Sequence, residues 1–379
     1  MAYFDQLNSV VEWVVDSVVD SVWQFGYLPA AGRRSTIFLE CVASSTAPAT
    51  AAGTAAFFTT FAANLSKIML SGLFEDKPVY RKFLILVFVI LLSTIIFSLI
   101  GGLWVNYVYG IDMLQDPNAL ADLENPAVLS AMKILQILTT GIGMFLIPSF
   151  IAAILFSKEP VHYLSMKNPP SNISFGITIV LMFALVPVIN FVHIINQGMH
   201  LPSFLSGVEE WMKNSEQQAE KLTEVFLKMD NTQELIYNLF IVAILPALGE
   251  EFIFRGILQK LFKEITNNIH VSIFITAVLF SAIHMQFFGF FPRMMLGVLF
   301  GYMLLWTGSI WVPVLAHFIN NGAAVVLAYF ASRNELPFDQ DTIGTMEGEW
   351  VITIVAIVLS AGLIWMLKKA GGEKTASGV

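Results

Sequence analysis

Residues 83–104 read FLILVFVILLSTIIFSLIGGLW, which is 22 consecutive residues without a charged side chain. A helix needs about 20 mostly apolar residues to cross the hydrocarbon core of a bilayer, so this stretch predicts a transmembrane helix. Further apolar stretches follow along the chain near 134–156, 173–195, 235–249, 271–290, 294–308, 310–330 and 350–367. Because backbone polar groups inside lipid must be hydrogen-bonded within the chain, we predict an all-α fold, a polytopic transmembrane helix bundle of about eight spans.

The composition of the whole chain supports this prediction. Hydrophobic residues make up 56% of the 379 residues, charged residues make up 13%, and the formal net charge is −8. Soluble domains carry about 25% charged residues, so the sequence excludes a soluble enzyme, a disordered chain and a nucleic-acid-binding protein. The single cysteine, Cys41, excludes an intramolecular disulfide framework and a multi-cysteine zinc site.

Basic residues are distributed unevenly among the segments that connect the predicted spans. One set of segments holds eleven Lys or Arg residues and five acidic residues. The alternate set holds four Lys or Arg residues and fifteen acidic residues. The first set comprises 65–82, 157–172, 256–270 and 368–379, and the second comprises 105–132, 196–233 and 331–349. Cytoplasmic loops carry an excess of Lys and Arg, so we predict that the first set is cytoplasmic.

The predicted spans divide the chain into four regions. Glu12, Asp16 and Asp20 recur at intervals of four and predict an amphipathic helix over 8–25. Loop 196–233 places apolar residues at roughly helical intervals and predicts a second amphipathic helix on the outer face. The regions are an N-terminal amphipathic and Ala/Thr-rich extension (1–70), the first membrane helices with the outer loop (71–233), the candidate catalytic core (234–330), and an outer loop with the last span and a cytoplasmic tail (331–379).

Ionisable residues within the predicted spans cluster in one third of the chain. They lie in three motifs, LPALGEEFIFRGILQ at 245–259, LFSAIHMQFFGF at 279–290 and VPVLAHFINNGA at 312–323. Ionisable residues at membrane depth are costly, which makes them candidates for function. The ionisable candidates are Glu250, Glu251, Arg255, His284 and His317, and the neutral amides Asn320 and Asn321 lie beside them in the third motif.

The spacing of these residues places several of them on shared helix faces. Glu251 and Arg255 are four positions apart on one helix, with the acid on the N-terminal side, which favours an ion pair. Glu250 lies about 100° around the same helix and can face a different partner. His317 and Asn321 are also four positions apart and share a face.

Each group suits one role in amide hydrolysis. A carboxylate such as Glu250 can take a proton from water, and His284 can orient that water. Asn321 and His317 can donate hydrogen bonds to the oxyanion that forms on the scissile carbonyl. Phe280 lies one turn before His284 and can form a wall of the site.

The same residues allow two other interpretations. Glu250, His284 and His317 would supply three ligands and leave an open fourth position, as catalytic zinc sites do, although an HExxH motif is absent. We favour water activated by Glu250 without an obligatory metal and keep zinc as the alternative cofactor. Taken singly, each residue also fits a structural role, such as a helix–helix hydrogen bond or an ion pair. The joint occurrence on three helices favours function.

The three motifs resemble those of the CPBP family, which contains CAAX proteases, bacteriocin-processing proteins (the Abi family) and the type II CAAX prenyl endopeptidases. The family is marked by EExxxR, FxxxH and HxxxN motifs on successive membrane helices, and this chain has them in that order over roughly 235–330. The resemblance implies an intramembrane endopeptidase whose cavity opens toward the cytoplasm. Members are classed either as glutamate-type proteases or as metalloproteases.

Carried over by position, the resemblance implies a role for each motif residue. It implies that Glu250 and His284 activate water and that His317 and Asn321 form the oxyanion site. Glu251 and Arg255 are implied to be supporting residues.

We therefore predict a multi-pass membrane protease, placed in a bacterial inner membrane. Its partners are the lipid bilayer and a membrane-associated protein or peptide, of which prenylated CAAX-type proteins are one possible class. The alternative is a non-enzymatic membrane scaffold or bacteriocin-immunity factor that retains the motifs. A transporter is a weaker alternative, because no inverted repeat is visible in the sequence.

Overall fold

A computed structural model describes residues 71–116, 118–333 and 350–375. Within these ranges all secondary-structure elements are helices, as the predicted fold class requires. The extension 1–70, with its predicted amphipathic helix over 8–25, lies outside the described residues. The helices are α1 (Val79–Tyr109), α2 (Pro126–Phe156), α3 (Pro160–Tyr163), α4 (Asn172–Ala184), α5 (Val186–Gln197), α6 (Ser206–Leu227), α7 (Thr232–Thr266), α8 (Ile269–Ala282), α9 (Phe290–Thr307), α10 (Trp311–Ser332) and α11 (Trp350–Thr375), and a 3₁₀ turn (Ser203–Leu205) precedes α6.

Large apolar side chains on two helices of the bundle face away from the protein. Leu84 and Phe88 on α1 are exposed, and so are Val358 and Trp365 on α11. Contiguous apolar surface of this kind is rare on soluble monomers and is typical of surface that contacts lipid. The protein is therefore a multi-pass helical membrane protein.

The number of full spans differs from the predicted eight. Six of the described helices are long and apolar enough to cross a membrane, and a seventh span results if α4 and α5 are counted together. The predicted span 271–290 is represented by α8, which has only 14 residues and is about 21 Å long. The hydrocarbon core is about 30 Å thick, so α8 is too short to cross it alone.

A break divides the predicted span 173–195 into α4 and α5. The two helices are bent by 44° relative to each other, and Pro187 occupies the first turn of α5. Proline has no N–H group and its ring clashes with the carbonyl four residues earlier, so it kinks or ends a helix. The kink brings Ile189 of α5 to the cavity described below.

Helix α7 is much longer than the predicted span 235–249. It has 35 residues and contains two π-helical segments, Leu239–Ile244 and Phe252–Leu258. Glu250 and Glu251 lie between these segments, in the middle of the helix and not at its end as the sequence suggested. Such π-helical turns are frequent at functional sites.

Three basic segments meet at one end of the bundle, as the charge count predicted. Lys82 Nζ lies 3.1 Å from Glu264 Oε2 at the end of α7. Lys260 Nζ donates to the carbonyl of Tyr163 and to Ser165 Oγ. We refer to this end, formed by 71–82, 157–172 and 256–270, as the basic end.

The predicted amphipathic helix in loop 196–233 is present as α6, at the opposite end. Its Glu216 carboxylate accepts a hydrogen bond from the backbone N–H of Phe288 at 3.2 Å, and the rings of Trp211 and Phe287 lie 5.2 Å apart. Helix α6 therefore packs on the loop 283–289 between α8 and α9.

Small residues bring α8 and α9 close together. A Cβ added at Gly297 would lie 3.0 Å from Ala277 Cβ, and one added at Gly301 would lie 2.8 Å from Ile273 Cγ2. Glycines four positions apart allow helix backbones to approach closely in membrane proteins. This close approach fixes the carbonyl of Gly297 against the candidate site.

Candidate active site

Side chains from α5, α7, α8, α9 and α10 and from the loop 283–289 surround one cavity of about 220 Å³. The candidate residues Glu250, His284, His317 and Asn321 all line it, together with Phe280, the predicted wall. The structure therefore brings together the residues that the three motifs proposed, although it does not by itself assign their roles. The remaining lining residues are Ile189, Pro292, Arg293, Leu296, Phe300 and Asn320.

Glu251 and Arg255 form a fully buried ion pair, as their spacing predicted. The distance between Arg255 Nη1 and Glu251 Oε1 is 2.7 Å, and both side chains have 0% exposure. A second guanidinium nitrogen donates to the carbonyl of Gly297 at 3.1 Å. The guanidinium also lies over the rings of Phe280 and Phe300, at 4.6 and 5.3 Å from their centroids.

Glu251 also holds His317, a contact that the sequence did not indicate. Glu251 Oε1 lies 2.8 Å from His317 Nδ1. A carboxylate can only accept here, so Nδ1 carries the proton. The other ring nitrogen, Nε2, then faces Glu250, whose Oε2 lies 3.9 Å away.

Glu250 lines the cavity, whereas its neighbour Glu251 does not. The Oε2 atoms of both residues are buried and have no hydrogen-bond partner within the described part of the chain. Because buried polar atoms are nearly always hydrogen-bonded, an unpartnered carboxylate oxygen beside a cavity is suited to hold water or a substrate group.

His284 lies in the loop that follows α8. Its Nδ1 is 2.8 Å from the carbonyl of Phe280, and since a carbonyl only accepts, Nδ1 carries the proton and Nε2 is an acceptor. The Phe280 ring packs edge-on against the imidazole at 5.3 Å. The next residue, Met285, has a φ of 55°, a left-handed conformation that turns the chain away from the helix.

Asn321 is positioned by one of the π-helical segments of α7. Its Nδ2 donates to the carbonyl of Val242 at 3.0 Å, and its Oδ1 accepts from Asn320 Nδ2 at 3.2 Å. One N–H of the Asn321 amide is thus used by the protein, and the second is left for a group in the cavity.

The candidate zinc ligands Glu250, His284 and His317 lie around the same cavity. Among the described residues, no group of three or more His, Cys, Asp or Glu side chains is arranged to hold a metal ion. The Nδ1 atoms of His284 and His317 are engaged by Phe280 and Glu251. Zinc remains an alternative from the sequence, and no step proposed below uses it.

The cavity extends from the middle of the bundle toward the α6 end. Helix α9 ends near the basic end, where Asn168 Nδ2 donates to the carbonyl of Gly308 at 3.1 Å, and Arg293 lies in its first turn, away from that end. If the basic end is cytoplasmic, the cavity lies nearer the opposite face. The resemblance implied a cytoplasmic opening, so the two predictions are incompatible for this chain.

A second cavity of about 300 Å³ lies beside the loop that carries His284. It is formed by the end of α5, by α6 and by this loop, and its walls are mainly Met and Phe side chains. Met199, Met212, Phe287, Phe288 and Phe291 contribute to these walls. No pattern in the sequence predicted this cavity.

Comparison with known proteins supports the family predicted from the motifs. Residues 232–323 match the family described as type II CAAX prenyl endopeptidase Rce1-like. This segment begins with α7, ends within α10 and contains all three motifs. The fold and the match together describe a multi-pass helical membrane protein in which residues 232–323 are similar to the Rce1-like family of type II CAAX prenyl endopeptidases.

The similarity to a curated relative is shorter. The chain is 31% identical over 88 residues to the uncharacterized protein YpbD of Bacillus subtilis (strain 168). The aligned part is 22% of this chain and 42% of that protein, so the match spans less than half the length of this relative. No solved structure matches the chain significantly.

Proposed function

We propose that the protein is an intramembrane endopeptidase that hydrolyses a peptide bond of a membrane-associated protein or peptide. The observation that carries this proposal is the position of Glu250. Its unpartnered Oε2 lies in a cavity with His284 and 3.9 Å from His317 Nε2, within the Rce1-like domain.

In the proposed reaction, Glu250 is the general base. A water molecule held between Glu250 and His284 Nε2 gives a proton to the Glu250 carboxylate while its oxygen bonds to the scissile carbonyl carbon. When the tetrahedral intermediate collapses, the C–N bond breaks and the nitrogen takes the proton from Glu250. The products are a new carboxyl group and a new amine.

The oxyanion of this intermediate is stabilised by the remaining N–H of Asn321 and by His317. Since Nδ1–H of His317 is used by Glu251, His317 donates from Nε2 only as an imidazolium. Glu251 and Arg255 act by positioning His317.

The second cavity suggests which substrates the site accepts. We extend to this chain the substrate class named in the family description, a prenylated CAAX-type protein, and assign its lipid chain to the Met and Phe walls beside loop 283–289. Peptides with and without a farnesyl thioether test this assignment. The lipidated peptide should be cleaved with the lower KM, and equal KM values would contradict it.

The proposed activity is tested by comparing peptide termini in membranes that contain different variants. Wild type, Glu250→Gln and Glu264→Gln are expressed at matched levels in bacterial membranes, and new termini are sequenced by mass spectrometry. Glu264 is a matched control, because it lies on the same helix but at the basic end. Termini shared by wild type and Glu264→Gln but absent from Glu250→Gln are expected.

Identical termini in all three samples, with each protein folded and abundant, would contradict the proposal. A non-enzymatic scaffold or immunity factor would then be the better interpretation. In that case Glu250→Gln should retain any cellular phenotype that wild type confers.

A further inference from the structure

Arg293 carries a positive charge at the wall of the catalytic cavity without a carboxylate partner. It lies in the first turn of α9 and is half-buried. Its guanidinium donates to Gln286 Oε1 at 2.7 Å and to the Gln286 carbonyl at 3.5 Å. Among the described residues no carboxylate oxygen lies within 4.0 Å of it, although it interacts electrostatically with Glu250 and Glu216 at longer range.

The other arginine of the site is different. Arg255 has Glu251 at 2.7 Å, a backbone carbonyl and two aromatic rings around it. Arg293 has one neutral residue, Gln286, within hydrogen-bond distance, and the carboxylates of Glu216 and Glu250 act on it only at longer range. A charged group at membrane depth is costly unless it is paired, and a cation in the first turn of a helix is also opposed by the helix dipole. Arg293 is therefore poorly explained by stability alone.

The geometry around Arg293 fits a ligand that brings a carboxylate. The guanidinium lies against Gly289, where an added Cβ would be only 3.2 Å from Nη2, so the absence of a side chain at position 289 lets Arg293 take this position at the cavity wall. A guanidinium binds a carboxylate through two parallel hydrogen bonds, which a neutral amide cannot match. Glu250, His284 and His317 line the same cavity.

We propose that Arg293 is a specificity-determining residue that binds a carboxylate of the peptide substrate while the scissile carbonyl lies at Glu250 and His317. The inference rests on the proposed function, since it concerns a peptide in that cavity. Two sources supply the same chemistry, the C-terminal carboxylate of the peptide and an Asp or Glu side chain. Loss of this contact should weaken binding of carboxylate-bearing peptides selectively.

A binding experiment tests the inference without requiring turnover. Full-length Glu250→Gln protein in lipid nanodiscs is incubated with N-acetylated random decapeptides that lack Asp and Glu. The peptides are prepared once as C-terminal acids and once as C-terminal amides, and a third pool consists of amides with one Asp at varied positions. Retained peptides are quantified by mass spectrometry. The same measurement is made with Arg293→Gln, Arg293→Lys and Arg81→Gln added to Glu250→Gln.

We expect the Glu250→Gln protein to retain the C-terminal acids, the Asp-containing amides, or both, about tenfold better than the plain amides. A tenfold ratio corresponds to the free energy of about one charge-assisted hydrogen bond. Which pool is preferred identifies the source of the carboxylate. Arg293→Gln should bring the ratio to about one, and Arg293→Lys, which cannot bind through two parallel bonds, should give an intermediate ratio. Arg81, an exposed arginine on α1, is the matched control and should leave the ratio unchanged.

Three outcomes would overturn the inference. The first is equal retention of all pools by the Glu250→Gln protein, and the second is a preference that survives Arg293→Gln. The third is an equal loss of all pools in Arg293→Gln, which would mark Arg293 as a structural partner of Gln286. Because binding is measured on an inactive protein, failure here is distinct from failure of the proposed protease activity.

Discussion

Glu251 Oε1 accepts a hydrogen bond from His317 Nδ1 at 2.8 Å, although the two residues are 66 positions apart in the chain. The same oxygen is the ion-pair partner of Arg255. The same carboxylate oxygen thus pairs with the charge of Arg255 within α7 and orients the His317 imidazole on α10. A change at Glu251 should therefore affect both stability and catalysis, whereas a change at Glu250 should affect catalysis alone.

Replacement of Glu251 by Gln should strongly destabilise the protein. It leaves Arg255 fully buried without a counter-charge, and removal of one partner of a buried pair costs about 3–5 kcal/mol. Glu250→Gln should lower the free energy of unfolding by less than about 1 kcal/mol, because Glu250 Oε2 has no hydrogen bond to lose. Thermal unfolding in mild detergent measures both effects, and equal midpoints for the two variants would contradict this prediction.

The double variant Glu251→Met with Arg255→Met should separate the two roles of the pair. Replacing a whole buried ion pair by apolar residues is often neutral or stabilising, so most of the stability lost in Glu251→Gln should return. Peptidase activity should not return, since His317 Nδ1 has lost its acceptor. Recovery of activity together with stability would show that Glu251 does not position His317.

Close packing of α8 on α9 should make Gly301 intolerant of a side chain. Gly301→Ala places a Cβ 2.8 Å from Ile273 Cγ2 and 2.9 Å from Gln259 Oε1, and overpacking of this kind costs about 1–3 kcal/mol. Gly176→Ala is the matched control, because an added Cβ there meets no atom within 4 Å. Gly176→Ala should be neutral or stabilising by about 0.5–1 kcal/mol. Similar unfolding midpoints for the two variants would refute the packing argument.

The orientation of the bundle can be tested by cysteine labelling. In a Cys41→Ser background, single cysteines replace Glu210 on α6 and Lys263 at the basic end, both of which are exposed. The excess of Lys and Arg predicts that the basic end is cytoplasmic. A membrane-impermeant maleimide should then label Glu210→Cys in intact spheroplasts and Lys263→Cys only after permeabilisation. The reverse pattern would instead support the cytoplasmic cavity that the family resemblance implied.

Acidification should loosen the start of α6. Hydrogen bonds from Lys213, His200 and the backbone N–H of Leu201 lower the pKa of Glu209 to about 2 from an ordinary value of 4.5. A carboxylate whose pKa is lowered by folding stabilises the folded state above its unfolded pKa. This stabilisation is present at neutral pH and is lost as the pH falls from 4.5 toward about 2.

Trp211 fluorescence, obtained as the difference between the signals of the protein with and without a Trp211→Phe replacement, can follow this change, because the indole packs against Phe287. The signal should change between pH 4.5 and about 2 in wild type, and Glu209→Gln should remove that step. A step of the same size and midpoint in Glu209→Gln would assign the transition to another group.

Local geometry explains which parts of the site could be predicted from the sequence. The Glu251–Arg255 pair follows from a spacing of four on one helix, because helix geometry alone brings these side chains together. The contact between Glu251 and His317 depends on which helix faces which, and no spacing within one helix contains that information. The motifs indicated that the helices converge, but not through which atoms.

Arg293 carries a sequence signal that is not among the motifs. It falls between the predicted spans 271–290 and 294–308 and is not one of the predicted site residues. Yet it is the only Lys, Arg, Asp or Glu residue in 271–308, which is the pattern that marks an intramembrane functional residue. The described residues contain six or seven full spans where the sequence predicts about eight, since apolar composition does not reveal that α8 ends at Ala282 and the chain turns at Met285.

The two π-helical segments of α7 have a consequence for how the length of this region can vary. A π turn contains one residue more than an α turn, so deleting one residue within Phe252–Leu258 would give an ordinary helix and leave the following residues in about the same direction. Lys260 and Glu264 would then keep their partners at the basic end. A one-residue deletion in Leu239–Ile244 would displace the Val242 carbonyl that holds Asn321. A deletion in an ordinary α-helical turn of α7 would rotate the two parts of the helix relative to each other by about 100°, so Phe252–Leu258 is the part of α7 where a one-residue deletion should be best tolerated.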